Sequence, residues 1–201
     1  MDLLTDGESR DSILDHPRLL ERILEPGAPL TISPQFYFYI LIRHVLKETG
    51  LNDRQVSDYV ASLLEMFSRT ARMKSPADGR STPIQYVSDM LVALRNASAM
   101  QSFLIRAHMG NYALFITGIF HETVQSRAER GAPAVSFFEK VGSASYKVAA
   151  QHKVARNCAL TGIYERLADS FHDVRLALNR VSDSLLHLDE SPPSGLTGFS
   201  P

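Results

Sequence analysis

Apolar residues in the C-terminal part of the chain recur in alternating steps of four and three, as in the buried seam of a helical bundle. The seam extends over four repeats and consists of Leu160, Tyr164, Leu167, Phe171, Val174, Leu178, Val181, Leu185 and Leu188. The positions that flank it are mostly small, as at Ala168 and Ser182, whereas an isolated two-stranded coiled coil usually carries charged residues there. The pattern predicts a long C-terminal helix that packs into a bundle and whose distal half is able to pair with a second copy.

A second stretch, from Met109 to Phe120, carries no charge and is apolar on nearly every side. This composition predicts a buried central helix. Gly110 and Gly118 lie about two turns apart on nearly the same face, so a neighbouring element is expected to approach closely there. A kink or a helix break at Gly110 and Asn111 is the alternative interpretation.

Signals for helix starts recur along the chain. They are Asp15–His16 before Pro17, Ser33–Pro34, Asn52, Thr82–Pro83 and Ser136. Together with the apolar spacing they predict an all-α fold, a single-domain helical bundle of six or seven helices over residues 1–188. Residues 1–11 are expected to be frayed, residues 74–82 to form a flexible loop, and residues 189–201 to form a disordered tail.

Composition narrows the classes of function. The 201 residues are 44% hydrophobic and 21% charged, and the net charge of −1 comes from acidic and basic residues mixed along the chain. Without a basic field, nucleic acid is not an expected partner. The single cysteine, Cys158, and an N-terminus without the features of a secretion signal favour a cytoplasmic location. No apolar run reaches the roughly 18 to 20 residues of a bilayer crossing, so no membrane span is expected.

Ionisable groups that border the apolar core are the best candidates for a ligand pocket, because perturbed titrating groups gather at functional sites. The candidates are His44, Arg106, His108, Tyr112, His121 and Glu122. His108 and His121 are thirteen residues apart, so on one continuous helix they would lie about 20 Å apart and could not share a ligand. The alternative interpretation is that each is a helix-end or rim residue bonded to a carbonyl or carboxylate.

A metal site or a bound cofactor is not predicted. His172 follows Asp169 and Glu165 at a spacing that superficially resembles a di-iron ligand set, but the seam places all three on the outer face of the helix. One cysteine and scattered histidines give no zinc cluster. Nucleophile, phosphate-loop and dinucleotide motifs are absent too, so no catalytic residue is assigned.

Two functions remain open from the sequence. The first is a non-enzymatic interaction or regulatory module that forms a homodimer or binds a protein partner, with interface candidates Tyr164, Phe171, Leu178 and Leu185. The alternative is a small-ligand-binding protein or enzyme whose pocket lies at the central helix, around the candidate residues given above. A cavity with convergent polar groups would favour the alternative, and a dry core with an apolar surface patch would favour the interaction module.

Overall fold

The computed structural model describes residues 13–25, 32–73 and 83–183. These residues form ten α-helices, one 3₁₀ turn at Leu94–Asn96 and no strand, so the predicted all-α class is confirmed. The helices are α1 Pro17–Leu24, α2 Pro34–Glu48, α3 Arg54–Met73, α4 Pro83–Ala93, α5 Ala99–Ile119, α6 His121–Ala128, α7 Val135–Ala150, α8 Lys153–Asn157, α9 Thr161–Asp169 and α10 Phe171–Val181. Within these ranges, no helix combines the length and the hydropathy that a membrane crossing requires.

The helix count exceeds the predicted six or seven for three reasons. The short helices α6 and α8 were not predicted, and the predicted C-terminal helix is divided at Ser170 into α9 and α10. Ser170 leaves the helical conformation, with φ −106° and ψ 22°, while its carbonyl accepts the first hydrogen bond of α10 from Val174. The prediction of one continuous helix was therefore wrong. The heptad pattern reports which side is buried, and a break that keeps that side buried leaves the pattern intact.

The chain divides into two compact units. The first unit contains residues 1–65 and 180–201, and the second contains residues 66–179. The single-domain boundary at residue 188 stays a prediction. The frayed start, the flexible loop at 74–82 and the tail at 189–201 were all predicted for segments outside the described residues.

In the first unit, α2 begins where the sequence indicates. The backbone N–H of Phe36 donates to Oγ of Ser33 at 3.2 Å, which satisfies one of the amides left open at a helix start. Past the other end of α2, Gly50 adopts the left-handed φ of 87° that favours glycine. The predicted cap of α3 was wrong by one residue. Asp53, and not Asn52, accepts from the amide of Val56 at 2.9 Å.

In the second unit, a capping box opens the central helix α5. The side chains of Ser98 and Gln101 each accept a hydrogen bond from the other residue's backbone. The helix runs without interruption through Gly110, so the helix break considered from the sequence is not formed. The predicted cap of α7 was wrong, because that helix begins at Val135 and Ala134 precedes it without a side-chain cap.

Close contacts at glycines hold α5 against α7 and α10, as their spacing predicts. The ring of Tyr146 lies over Gly110, where an added Cβ would be 2.8 Å from two ring carbons. A Cβ at Gly118 would lie 2.7 Å from the side chain of Leu178. The Tyr146 hydroxyl donates to Oδ1 of Asn111 at 2.8 Å, so even this fully buried phenol has a polar partner.

Three of the four seam residues that were assigned to an oligomer interface, Tyr164, Phe171 and Leu178, are buried within the chain. Tyr164 is 3% exposed and its ring stacks on that of Tyr146 at a centroid distance of 5.5 Å. Phe171 is 3% exposed and Leu178 is fully buried. Leu185 lies outside the described residues. Contacts within the chain therefore account for the pattern up to Val181, and the assignment of these four residues to an interface stays a prediction.

Candidate functional site

A cleft of about 250 Å³ lies in the first unit, at α1, α2 and the residues that lead into α1. Its lining combines aliphatic and charged side chains: Leu14, Asp15, His16, Pro17, Leu20, Ile40, Arg43, His44, Lys47 and Glu48. One of the six residues proposed from the sequence as pocket candidates, His44, is among them.

Helical spacing explains the α2 side of the cleft. Ile40, Arg43, His44 and Lys47 follow one another at the intervals of three and four residues that share one face of a helix. On the opposite side, His16 caps α1: its Nδ1 accepts a hydrogen bond from the backbone N–H of Arg18 at 3.2 Å. The proline that follows it fits the first turn of a helix, where no amide hydrogen is needed.

Three cationic side chains converge on the carboxylate of Asp15. Arg43 binds both of its oxygens, Nε to Oδ1 at 2.9 Å and Nη2 to Oδ2 at 3.0 Å. Lys47 Nζ donates to Oδ2 at 3.2 Å, and Arg54 Nη2 donates to the same atom at 3.1 Å. Bidentate arginine–carboxylate pairs have strong, fixed geometry. The carboxylate is therefore tied to α2 and α3 through 28 to 39 residues of sequence separation.

This environment lowers the pKa of Asp15 to about 2. The hydrogen bond from Arg43 is the largest cause; burial acts in the opposite direction, and Lys47 lowers the pKa further. The Arg43 side chain is itself only 3% exposed, so the ion pair at the base of the cleft is largely removed from water. A guanidinium in that position is stable because its charge is matched and hydrogen-bonded.

Besides two histidines, the cleft lining carries two cationic side chains, Arg43 and Lys47, and two carboxylates, Asp15 and Glu48. Besides Asp15, the other lining carboxylate is that of Glu48, which pairs with Nε2 of His44 at 3.0 Å and with Arg180. Two further cationic side chains, Arg54 and Arg180, contact these carboxylates from outside the lining. Lys47 lines the cleft, and its side chain is 39% exposed.

A second constellation, in the second unit, brings together two of the predicted pocket candidates, His108 and Tyr112. Nε2 of His108 and the hydroxyl of Tyr86 share a hydrogen bond of 2.7 Å. The rings of Tyr86 and Tyr112 lie 4.7 Å apart, and Phe67 stacks on His108 at 6.0 Å. The one-turn spacing from His108 to Tyr112 places both on one face of α5.

Burial dominates the electrostatics of this aromatic cluster. It lowers the pKa of His108 and raises that of Tyr86. Burial also raises the pKa of Tyr112 to about 12; Tyr86 adds to the rise, and Arg127 opposes it. A neutral imidazole and protonated phenols satisfy one another here without a net charge. The cluster therefore has the chemistry of a polar packing contact.

The remaining candidates, Arg106, His121 and Glu122, are not among the residues of the cleft lining or of the aromatic cluster. Arg106 is half-buried on α5, and its Nε has no hydrogen-bond partner among the described residues. His121 is half-buried at the first residue of α6, and Glu122 beside it is exposed. Arg106 lines neither the cleft nor the aromatic cluster.

Sequence reasoning missed the residues that give the cleft its charge. Asp15 was interpreted only as part of a helix entry, and Lys47 was not singled out. The spacing of Arg43, His44 and Lys47 on one helix face was a usable signal. The pairing of Arg43 with Asp15 could not be predicted, because a contact between residues 28 positions apart leaves no local pattern in the sequence.

Comparison of the chain with protein-family models, with curated proteins and with solved structures gives no significant match.

Proposed function

We propose that the protein binds a small molecule in the cleft of its first unit. Ligand sites are typically concave, with apolar walls and a few placed polar groups. The cleft has this form: Leu14, Leu20 and Ile40 supply aliphatic surface, and Lys47 and His44 supply polar atoms. Its volume of about 250 Å³ is below the roughly 300–1,000 Å³ of drug-sized sites, so the ligand expected is a small one.

The observation that carries the proposal is the convergence of three cationic groups on the single carboxylate of Asp15. This network fixes Arg43 and Lys47 in place before any ligand arrives. Groups that are already ordered lose less conformational entropy on binding, so their interactions contribute more to affinity.

The proposal is confined to binding and does not include catalysis. At a pKa of about 2, the carboxylate of Asp15 is a weak proton acceptor at neutral pH, and general bases work best when their pKa lies near the operating pH. The carboxylate oxygens are also occupied by hydrogen bonds from Arg43, Lys47 and Arg54. Asp15 is therefore a positioning group for the cations.

A fragment screen by ligand-observed NMR tests the proposal, with a variant that fills the cleft. Leu20→Trp adds an indole to the lining, and Leu176→Trp makes the same change at an exposed site on α10 of the second unit. We expect wild-type protein and Leu176→Trp to bind a common set of fragments that Leu20→Trp does not bind. Thermal unfolding of each variant shows whether it is folded. No fragment binding to the wild type, or full binding to folded Leu20→Trp, would contradict the proposal.

A second candidate function is the protein-interaction module expected from the sequence. Four large apolar side chains are exposed near the junction of α4 and α5: Leu91 by 40%, Val92 by 59%, Met100 by 49% and Leu104 by 57%. Single exposed apolar residues are ordinary, but contiguous patches mark interaction surfaces. In this second candidate function, the protein acts in the cytoplasm as a homodimer.

Sedimentation equilibrium tests the interaction module separately from the cleft. Leu104→Glu is expected to lower the association of a dimer that uses the α4–α5 junction, because it places a charge in an apolar contact. Leu176→Glu, at a residue that is 41% exposed on α10, is the matched control. A monomeric wild type, or equal association of both variants, would count against this candidate.

A further inference from the structure

The two walls of the cleft differ in how much of each is buried in the first unit. One wall belongs to α2, in which eight of the fifteen residues are buried. The other wall comes from α1 and the residues that lead into it, and Ile23 is the one buried residue among the eight of α1. A helix of this length is marginal in water on its own. The α1 wall is therefore the less stable of the two and depends on its contacts with the rest of the unit.

The carboxylate of Asp15 provides the polar attachment of the α1 wall. It accepts hydrogen bonds from Arg43 and Lys47 of α2 and from Arg54 of α3. Within the described part of the chain, the other side-chain hydrogen bonds of residues 13–25 stay inside that segment. Removal of the Asp15 carboxylate would thus take away every described side-chain hydrogen bond between the α1 wall and another helix.

The side of the ion network that receives Asp15 is anchored independently of α1. Arg43 is 2% exposed, and its Nη2 also donates to Oδ1 of Asn52. If the carboxylate of Asp15 moves away, the guanidinium remains on α2 as a buried charge with fewer partners, which makes the open state costly. The closed state is therefore favoured, and opening is transient.

We propose that residues 14–24 form a gate over the cleft, which the carboxylate of Asp15 keeps closed and which opens transiently to admit and release the ligand. This inference rests on the proposed function and adds to it the route by which the ligand enters. In the closed state, Leu14 and Leu20 line the apolar part of the cleft. In the open state, both move away with α1. Segments that close over binding sites belong to the less stable parts of a fold.

Alkylation of a thiol placed on the α2 wall measures the opening of the gate. Ile40 lines the cleft and is 2% exposed, so a reagent reaches this position only when neighbouring residues move. The probe is Ile40→Cys in the full chain with Cys158→Ser, because the native thiol is exposed and would react in any state. Iodoacetamide is the reagent, and mass spectrometry follows the modified fraction with time.

Loss of the Asp15 carboxylate is expected to speed this reaction. Asp15→Asn should raise the alkylation rate of the Ile40→Cys thiol at least about tenfold, because charge-assisted, bidentate hydrogen bonds hold the gate closed. Potassium chloride should raise the rate in protein that retains Asp15 and have less effect in Asp15→Asn, because salt screens the partly exposed charges of the network.

Two controls separate opening of the gate from a general loss of stability. Val124→Cys places a thiol at a residue that is 3% exposed on α6 of the second unit, and Asp15→Asn is expected to leave its alkylation unchanged. Glu139→Gln removes a carboxylate that accepts hydrogen bonds from His172 and Arg175 in the second unit. It is expected to leave alkylation of the Ile40→Cys thiol unchanged. Thermal unfolding shows whether each variant is folded.

Amide hydrogen exchange of the chain without introduced cysteines gives a second measurement. Asp15→Asn should speed exchange at least about tenfold at the amides of residues 19–24, which are protected only while α1 is formed. The amides of residues 38–46 in α2 should retain their protection. This measurement needs no substitution in the cleft wall, so it applies even if Ile40→Cys does not fold.

The outcomes separate the gate from the proposed function. Unchanged alkylation and unchanged exchange in folded Asp15→Asn would overturn the gate, and a fragment screen with bound ligands would then leave the site in place. Equal acceleration in α1 and α2, or at both introduced thiols, would also overturn the gate, because the network would then support the whole fold. An empty fragment screen with faster alkylation in Asp15→Asn would overturn the proposed function and, with it, the role of the gate in ligand entry.

Discussion

Replacing Gly142 with alanine places a methyl group where two buried neighbours already lie. The added Cβ would be 2.5 Å from Cε2 of Phe171 and 2.9 Å from Cβ of Ala113. Real Cβ atoms essentially never approach other atoms within 3.0 Å, so α7 must move away from α10 or the phenyl ring must shift. Phe171 is 3% exposed and Ala113 is fully buried. Neither side chain can therefore move outward into solvent to make room for the methyl group.

The expected cost follows from two opposing effects. Overpacking a well-filled core costs typically about 1–3 kcal/mol, and alanine in place of a helical glycine returns up to about 1 kcal/mol. We therefore expect Gly142→Ala to lower the free energy of unfolding by about 1–2 kcal/mol, measured by urea denaturation followed by circular dichroism.

Gly162→Ala is the matched control. There the nearest neighbour of an added Cβ is the flexible end of Arg166, whose Nη1 would lie 3.1 Å away. This variant is expected to be neutral or more stable by up to about 1 kcal/mol. A double-mutant cycle adds Phe171→Leu, which shortens the blocking side chain and should reduce the cost of Gly142→Ala. Equal stabilities of the two glycine variants, with no coupling to residue 171, would refute the close approach of α7 and α10.

Three further predictions concern polar groups. The folded-state pKa of Asp15, about 2, lies below the ordinary value of 3.8, so its contribution to stability is present above pH ~4 and is lost as the pH falls through ~2. Urea denaturation across this range should show a shallower pH dependence for Asp15→Asn, and an unchanged slope would contradict the ion network. Asn179 is 8% exposed, and its side-chain amide donates to the carbonyls of Thr117 and Gly118 at 2.8 and 2.7 Å. Asn179→Ala should lower the free energy of unfolding by about 1–3 kcal/mol, because both carbonyls lose this donor. A change within about 0.5 kcal/mol in chemical denaturation, the range of ordinary surface substitutions, would show that the bonds contribute little. Ser145 is fully buried and its hydroxyl has no hydrogen-bond partner among the described residues, so Ser145→Ala should be neutral or stabilising in the same assay, and a loss above about 1 kcal/mol would indicate a partner for that hydroxyl.

Local chemistry explains which parts of the fold could be predicted. Ser33 and Pro34 define a helix start through bonds to residues three positions away, and α2 begins there. The glycines of α5 predicted close neighbours, which are Tyr146 at Gly110 and Leu178 at Gly118. The break at Ser170 could not be predicted, because the apolar spacing continues across it.

The candidate site was less predictable than the fold. His108 and Tyr112 could be paired from their spacing on one helix, but their partner Tyr86 lies 22 residues away from His108 and has no local signal. For the same reason, the pairing of Asp15 with Arg43 and Lys47 could not be predicted from the sequence. Long-range ion pairs depend on how helices meet, which hydrophobic periodicity does not specify.

Mapping by amide NMR of the full chain during titration with a fragment selected in the ligand screen tests the cleft most directly. If the cleft is the binding site, chemical-shift changes should saturate and be largest at residues 14–20 and 40–48, and they should be lost in Leu20→Trp. Shifts centred on Tyr86, His108 and Tyr112 would place the site in the aromatic cluster instead. Shifts that do not saturate and are spread over both units would contradict a ligand site in the cleft.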